Sequence, residues 1–82
     1  SIDSNVLVGH DVFISENVKI RGGATIAGFS KIGKNTIIGL ETVITQRSEI
    51  GEDCLTTAGS IISKNYPNNS KIISFPPKVQ KF

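Results

Sequence analysis

Residues 26–44, IAGFSKIGKNTIIGLETVI, set Ile26, Ile32, Ile38 and Ile44 six residues apart, and the same spacing runs outward from there through most of the chain. Starting at Ile2, every sixth residue is Ile2, Val8, Ile14, Ile20, Ile26, Ile32, Ile38, Ile44, Ile50, Thr56 and Ile62, so only Thr56 is not a branched aliphatic. A helix repeats its buried face about every 3.6 residues and an ordinary strand about every 2. A six-residue period belongs instead to an all-β parallel β-helix, in which short strands turn corners at fixed intervals and each circuit stacks on the one before. With 13 Ile and 6 Val among 82 residues, chance placement does not produce this phase.

The other positions of the hexad agree. Four residues after each aliphatic come Val6, Val12, Val18, Ala24, Ser30, Thr36, Thr42, Ser48, Cys54 and Ser60, small enough to share a narrow interior with the aliphatic column. One place earlier stand Asn5, Asp11, Asn17, Gly23, Asn35, Asp53, Gly59 and Asn65, residue types that tolerate a left-handed backbone at a tight bend. With three hexads to a circuit, residues 2–67 make about 3.5 coils.

A chain of 82 residues forms one small domain with little core of its own, and a flat-sided prism gains stability by packing against copies of itself. The chain starts at Ser1 already in phase with the repeat, which gives the expectation that earlier circuits or an N-terminal domain precede it. No apolar run reaches the length of a membrane span, no secretory leader is visible, and a cytoplasmic protein is expected. Cys54 is the only cysteine, which excludes a disulfide framework and a thiolate metal site; its inward position points to a buried structural thiol. Nucleic acid is not an expected partner, because aromatics are few and the basic residues form no stripe. Charge is nevertheless uneven: residues 64–82 carry Lys64, Lys71, Lys78 and Lys81 and no acid.

The hexad phase puts Tyr66 in the small inward slot with Pro67 directly after it. A bulky ring and a missing ladder donor predict that coiling ends there, giving a β-helix over 1–67 and an irregular tail over 68–82. Ile72, Ile73, Phe75 and Val79 predict that the tail docks on the last circuit.

One histidine is present, His10, in the segment Val8-Gly9-His10-Asp11-Val12. Two residues past an inward aliphatic, it sits at a corner and projects outward, where an imidazole can exchange a proton near neutral pH. An 18-residue circuit places Gly28 over His10, then Gln46 and Lys64 on the next levels. Gly28 would bring a bare backbone N–H to whatever the imidazole activates, as an oxyanion donor must. Lys64, three levels up the same column, would suit the phosphate end of a long cofactor arm. Asp11 either biases the imidazole or contacts substrate, or it simply bonds its own backbone at the bend.

The hexads IGKNTI and IGLETV, the segment VGHDVFISENVKIRGGATIAG and the ending TTAGSIISKNYPNNSKIISFPPK together resemble the left-handed β-helix, hexapeptide-repeat acyltransferases. Within them the chain is most similar to the acetyltransferases of nucleotide-linked amino sugars and of sialic-acid-type sugars. The resemblance implies a left-handed coil, a homotrimer, and acetyl-CoA in the groove between two subunits. It implies His10 as catalytic base, Gly28 as the amide holding the thioester carbonyl oxygen, and Ala58 and Gly59 as the pair at which backbone approaches CoA. It implies no metal. The acceptor would be an amine or hydroxyl of a sugar or nucleotide-sugar, acetylated directly without an acyl-enzyme. Two departures from the family pattern lie in the tail. Tyr66-Pro67 stands where a valine-proline step is usual, and Ser74 and Pro77 stand where the following turn usually has glycine and alanine.

Other readings of the repeat fit less well. A β-helix carbonic anhydrase needs three histidines around zinc and this chain has one; an ice-binding face needs threonines in register, and Thr25, Thr36, Thr42, Thr45, Thr56 and Thr57 are not. The remaining alternative is a non-catalytic trimerising module of a larger sugar-nucleotide enzyme.

Overall fold

Each hexad forms the same unit, a two-residue strand that ends on the repeat aliphatic, followed by a turn. The computed structural model describes residues 1–73 and 80. Its strands are Leu7–Val8 (β1), Phe13–Ile14 (β2), Lys19–Ile20 (β3), Thr25–Ile26 (β4), Lys31–Ile32 (β5), Ile37–Ile38 (β6), Val43–Ile44 (β7), Glu49–Ile50 (β8), Leu55–Thr56 (β9), Ile61–Ile62 (β10), Asn65–Tyr66 (β11) and Lys71–Ile72 (β12). They stack as three parallel sheets, β1-β4-β7-β10, β2-β5-β8-β11 and β3-β6-β9-β12, which are the three sides of a left-handed prism of about four turns. Leu7 lies opposite Thr25 and Val8 opposite Ile26, the expected eighteen-residue circuit.

Alternation within the hexad decides what is inside. Ile20, Ile26, Ile32, Ile38, Ile44, Ile50 and Ile62 are buried in three inward columns, one on each side, with Ile26 under Ile44, Ile32 under Ile50 and Ile20 under Ile38, each contributing roughly 1.5–3 kcal/mol of transfer free energy. The second inward position of the hexad holds small hydroxyls at most levels, and the interior keeps them because each finds a backbone carbonyl. Ser30 Oγ donates to the Thr45 carbonyl at 3.0 Å, Thr36 Oγ1 to that of Gly51 at 2.8 Å, and Ser60 Oγ to that of Thr57 at 2.6 Å. Among the described residues no buried side-chain nitrogen or oxygen lacks a partner. Thr56, the one break in the aliphatic column, has the same explanation: its Oγ1 accepts the Gly39 N–H at 2.9 Å and lies 3.2 Å from Thr42 Oγ1. Cys54 is buried as expected, with its Sγ 3.3 Å from the Pro67 carbonyl.

The bends are left-handed, at Asn5, Asp11, Asn17, Asn35, Asp53 and Asn69 and at Gly23 and Gly59, and also at Phe29, Glu41 and Arg47. The last three are residue types that the corner does not favour.

Coiling does not stop at Pro67. Asn65 pairs with Glu49 and Tyr66 with Ile50, and then Lys71 with Leu55 and Ile72 with Thr56, sixteen residues apart instead of eighteen. Only Ser63 and Lys64 separate β10 from β11, where four residues separate β7 from β8, so the corner has lost its two turn residues. The shortening carries Tyr66 out of the small slot and into the aliphatic column, where it packs against the core with Ile72. Pro67 then falls just past the strand, where on the level below the Gly51 N–H donates to the Tyr66 carbonyl at 3.0 Å; β11 is the last strand on its side among the described residues, so no level above requires that donor. Asn65 is consequently a strand residue, and Asn69 makes the bend. Ile73 is exposed; Ser74, Phe75, Pro76, Pro77, Lys78 and Val79 lie outside the described residues.

Candidate active site at the His10 edge

The turn after β1 places His10 and Asp11 on one edge of the prism, and the turn after β4 places Gly28 and Phe29 directly above them. The Phe29 N–H donates to the His10 carbonyl at 2.8 Å, and on the next level the Arg47 N–H donates to the Gly28 carbonyl at 3.1 Å. Residues 10 and 28 therefore share an edge, one ladder step or about 4.8 Å apart. His10 is exposed and Gly28 is buried.

Gly28 has an ordinary negative-φ backbone, and its glycine is needed for space. A Cβ there would stand 3.2 Å from the His10 carbonyl oxygen, tighter than ordinary contact with backbone allows. Gly9 adds the complementary clearance. A Cβ on Gly9 would stand 2.8 Å from the Gly28 nitrogen, closer than side-chain carbons come to backbone. Among the described residues the Gly28 N–H donates no hydrogen bond. Two glycines thus keep the Gly28 amide free of side-chain carbon one level above His10, and a backbone N–H is the type of donor that can stabilise a developing oxyanion.

The other sequence-derived positions are not all brought here. Asp11 adjoins His10 and takes the left-handed bend at φ 53°, which accounts for an Asp at that position. Lys64 is not stacked on Gln46. Because the corner after β10 is two residues short, the Lys64 carbonyl accepts the Glu49 N–H at 3.4 Å, the role the Ser48 carbonyl plays for Lys31 one circuit below. The column over His10 therefore continues through Gln46 and ends before Lys64, which is exposed at the shortened corner. Ala58 and Gly59 form the turn after β9, over Leu40, with the Gly59 N–H donating to the Leu40 carbonyl at 2.8 Å. They occupy a different edge from His10, so within one chain they do not meet the imidazole. Among the described residues no cluster of His, Cys, Asp and Glu could hold a metal ion, and no helix is long and apolar enough to cross a membrane.

Sequence reasoning missed Phe29 and Arg47, which flank Gly28 on the same edge, with the Arg47 guanidinium carbon 4.9 Å from the centre of the Phe29 ring. A signal was present: both sit at the bend position that at every other level except Glu41 holds Asn, Asp or Gly.

The hexad repeat and three-sided left-handed coil are those of the hexapeptide-repeat β-helix proteins, and by sequence this chain is related to the acyltransferases among them. Among its relatives is the UDP-3-O-acylglucosamine N-acyltransferase of Campylobacter lari, 34% identical over 80 residues, covering 98% of this chain and 25% of that protein. Serine acetyltransferase 4 of Arabidopsis thaliana is 28% identical over 87 residues, covering 96% of this chain and 24% of that protein. In fold it matches a mutant perosamine N-acetyltransferase from Caulobacter crescentus, solved with CoA and GDP-perosamine, at a TM-score of 0.63 and 16% identity over 99% of this chain and 53% of that one. The chain spans about a quarter of the length of the first two relatives. No protein-family model matches it.

Proposed function

We propose that this β-helix is the catalytic coil of an acetyltransferase that moves an acetyl group from acetyl-CoA to an amine or hydroxyl of a sugar or nucleotide-sugar. The observation that carries this reading is the stack of His10 beneath the clear Gly28 amide. His10 takes the proton of the acceptor N–H or O–H while the nitrogen or oxygen bonds to the thioester carbonyl carbon. The carbonyl oxygen gains negative charge and is held by the Gly28 N–H. Collapse of the tetrahedral species breaks the C–S bond, and the imidazolium returns its proton to the departing CoA sulfur. Oxyanion donors of this kind contribute about 3–4 kcal/mol.

The separation of the His10 edge from the Ala58–Gly59 edge favours a trimer, in which the CoA groove is completed by the Ala58–Gly59 edge of a neighbouring copy. The outward column Leu7, Thr25, Val43 and Ile61, apolar except at Thr25 and with its first and last residues each 68% exposed, runs up the β1-β4-β7-β10 side next to the His10 edge and supplies a surface for self-association. The test is His10→Ala, assayed by thiol release from acetyl-CoA with a panel of nucleotide-linked amino sugars. Turnover falls at least about 100-fold while acetyl-CoA still binds. An unchanged rate removes His10 from the chemistry and leaves the chain a trimerising module.

A further inference from the structure

Three bends hold a residue that a left-handed corner disfavours, Phe29, Glu41 and Arg47, and two of these lie on consecutive levels of the His10 edge. Phe29 has φ 62° and Arg47 φ 60°, whereas the bends at Asn5, Asn17, Asn35 and Asn69 use Asn at the same conformation. A phenylalanine at φ above zero is an outlier, and such strain persists where a function holds it. Phe29 gains nothing inside the core to offset this, since 47% of it is exposed. What it gains is Arg47. The guanidinium lies over the ring at 4.9 Å, a cation–π contact that fixes the planar fork against a rigid surface. Among the described residues Arg47 forms no ion pair; the two observed are Lys31 with Glu49 and Lys34 with Glu52. The ring thus holds the guanidinium from one side, and no carboxylate among the described residues takes its N–H groups. A held, unpaired guanidinium fits phosphate oxygens in bidentate fashion.

We infer that Arg47, held by Phe29, is a specificity-determining residue that binds the diphosphate of a nucleotide-linked sugar acceptor, an assignment that rests on the acetyl-transfer reading above. Distance selects the acceptor over the donor. Arg47 stands two ladder steps above His10, about 10 Å. From a reacting amine across a pyranose ring to a glycosyl diphosphate is about half a dozen bonds of roughly 1.5 Å, so a phosphate comes within reach of the Arg47 side chain. The arm of acetyl-CoA puts about twice as many bonds between thiol and diphosphate, which carries its phosphates past this level.

The experiment titrates UDP, GDP and CoA separately into the 82-residue chain and into its Arg47→Gln, Arg47→Lys and Phe29→Asn variants by calorimetry, with thermal melts and acetyl-transfer kinetics in parallel. Arg47→Gln weakens UDP or GDP binding about tenfold or more and leaves CoA within twofold; Arg47→Lys recovers only part, because a point charge lacks the fork. In kinetics kcat/KM for the acceptor falls much further than kcat. Phe29→Asn raises the melting midpoint, since Asn suits the bend, and yet weakens the same nucleotide, a pairing that a purely structural role does not produce. Unchanged nucleotide affinity in Arg47→Gln overturns the inference, as does a loss confined to CoA, which moves the anion to the donor. Absence of nucleotide binding to the unmodified chain also overturns it. Failure of the acetyl-transfer reading is distinguished by His10→Ala, which then leaves turnover unchanged whatever Arg47 does.

Discussion

Gly9→Ala separates the chemistry from the coil that carries it. The added methyl stands 2.8 Å from the Gly28 nitrogen, 3.2 Å from the Ala27 carbonyl carbon and 3.3 Å from Gly28 Cα, all backbone atoms, when ordinary contact begins at 3.4 Å. Backbone must shift by more than half an ångström, and the amide that moves is the proposed oxyanion donor. Overpacking of this kind costs about 1–3 kcal/mol, a fall in melting midpoint of roughly 5–20 °C for a domain this size. Loss of the donor adds a separate penalty of about 100- to 1,000-fold in kcat. Gly33→Ala is the control: its methyl would stand 2.5 Å from the Gly51 carbonyl carbon, after β5 on another side of the prism. It destabilises at least as much and does not touch the His10 edge. Both variants are melted, then assayed for acetyl transfer well below their midpoints, with rates normalised to folded protein. Equal residual rates in the two would refute the assignment of the Gly28 amide.

Thr56→Val removes the hydroxyl that satisfies the Gly39 N–H, and the midpoint drops by an amount corresponding to about 1–3 kcal/mol despite the gain in apolar volume; an unchanged midpoint contradicts the account of why the aliphatic column breaks there. Ile61→Glu places a charge on the outward apolar column without disturbing the core, so analytical ultracentrifugation finds a monomer with intact circular dichroism and little transfer activity; a persistent, active trimer moves the interface elsewhere. Cys54→Ser keeps a small group within reach of the Pro67 carbonyl and leaves the transfer rate within about twofold, whereas a dead but folded variant would give the thiol a chemical role.

The coil was legible because one residue type does one job at each level. Ile26, Ile32, Ile38 and Ile44 fill the interior, Asn and Asp accept the left-handed bend, and the period follows directly from the chain. The stack of Gly28 on His10 followed from the same arithmetic. That arithmetic failed at Ser63–Lys64, where the corner is two residues short. Tyr66 and Ile72 remain six apart, and restarting the phase at Tyr66 would have found the last strands; a fixed phase instead misplaced Lys64 and took Pro67 for the end of the coil. Phe29 and Arg47 were missed for a different reason. Local preference argues against both at a bend, and only the circuit that brings Arg47 over Phe29 shows what offsets the strain. In the proposed trimer the Ala58–Gly59 edge meets His10 only through a second copy, which no single-chain periodicity encodes.

The most direct measurement is a crystal structure of the protein with CoA bound. The account predicts CoA in a groove between two copies, with its sulfur within about 4 Å of the His10 ring and beside the Gly28 amide. A sulfur seated at any other edge of the prism, or CoA bound to a lone protomer away from His10, would contradict it.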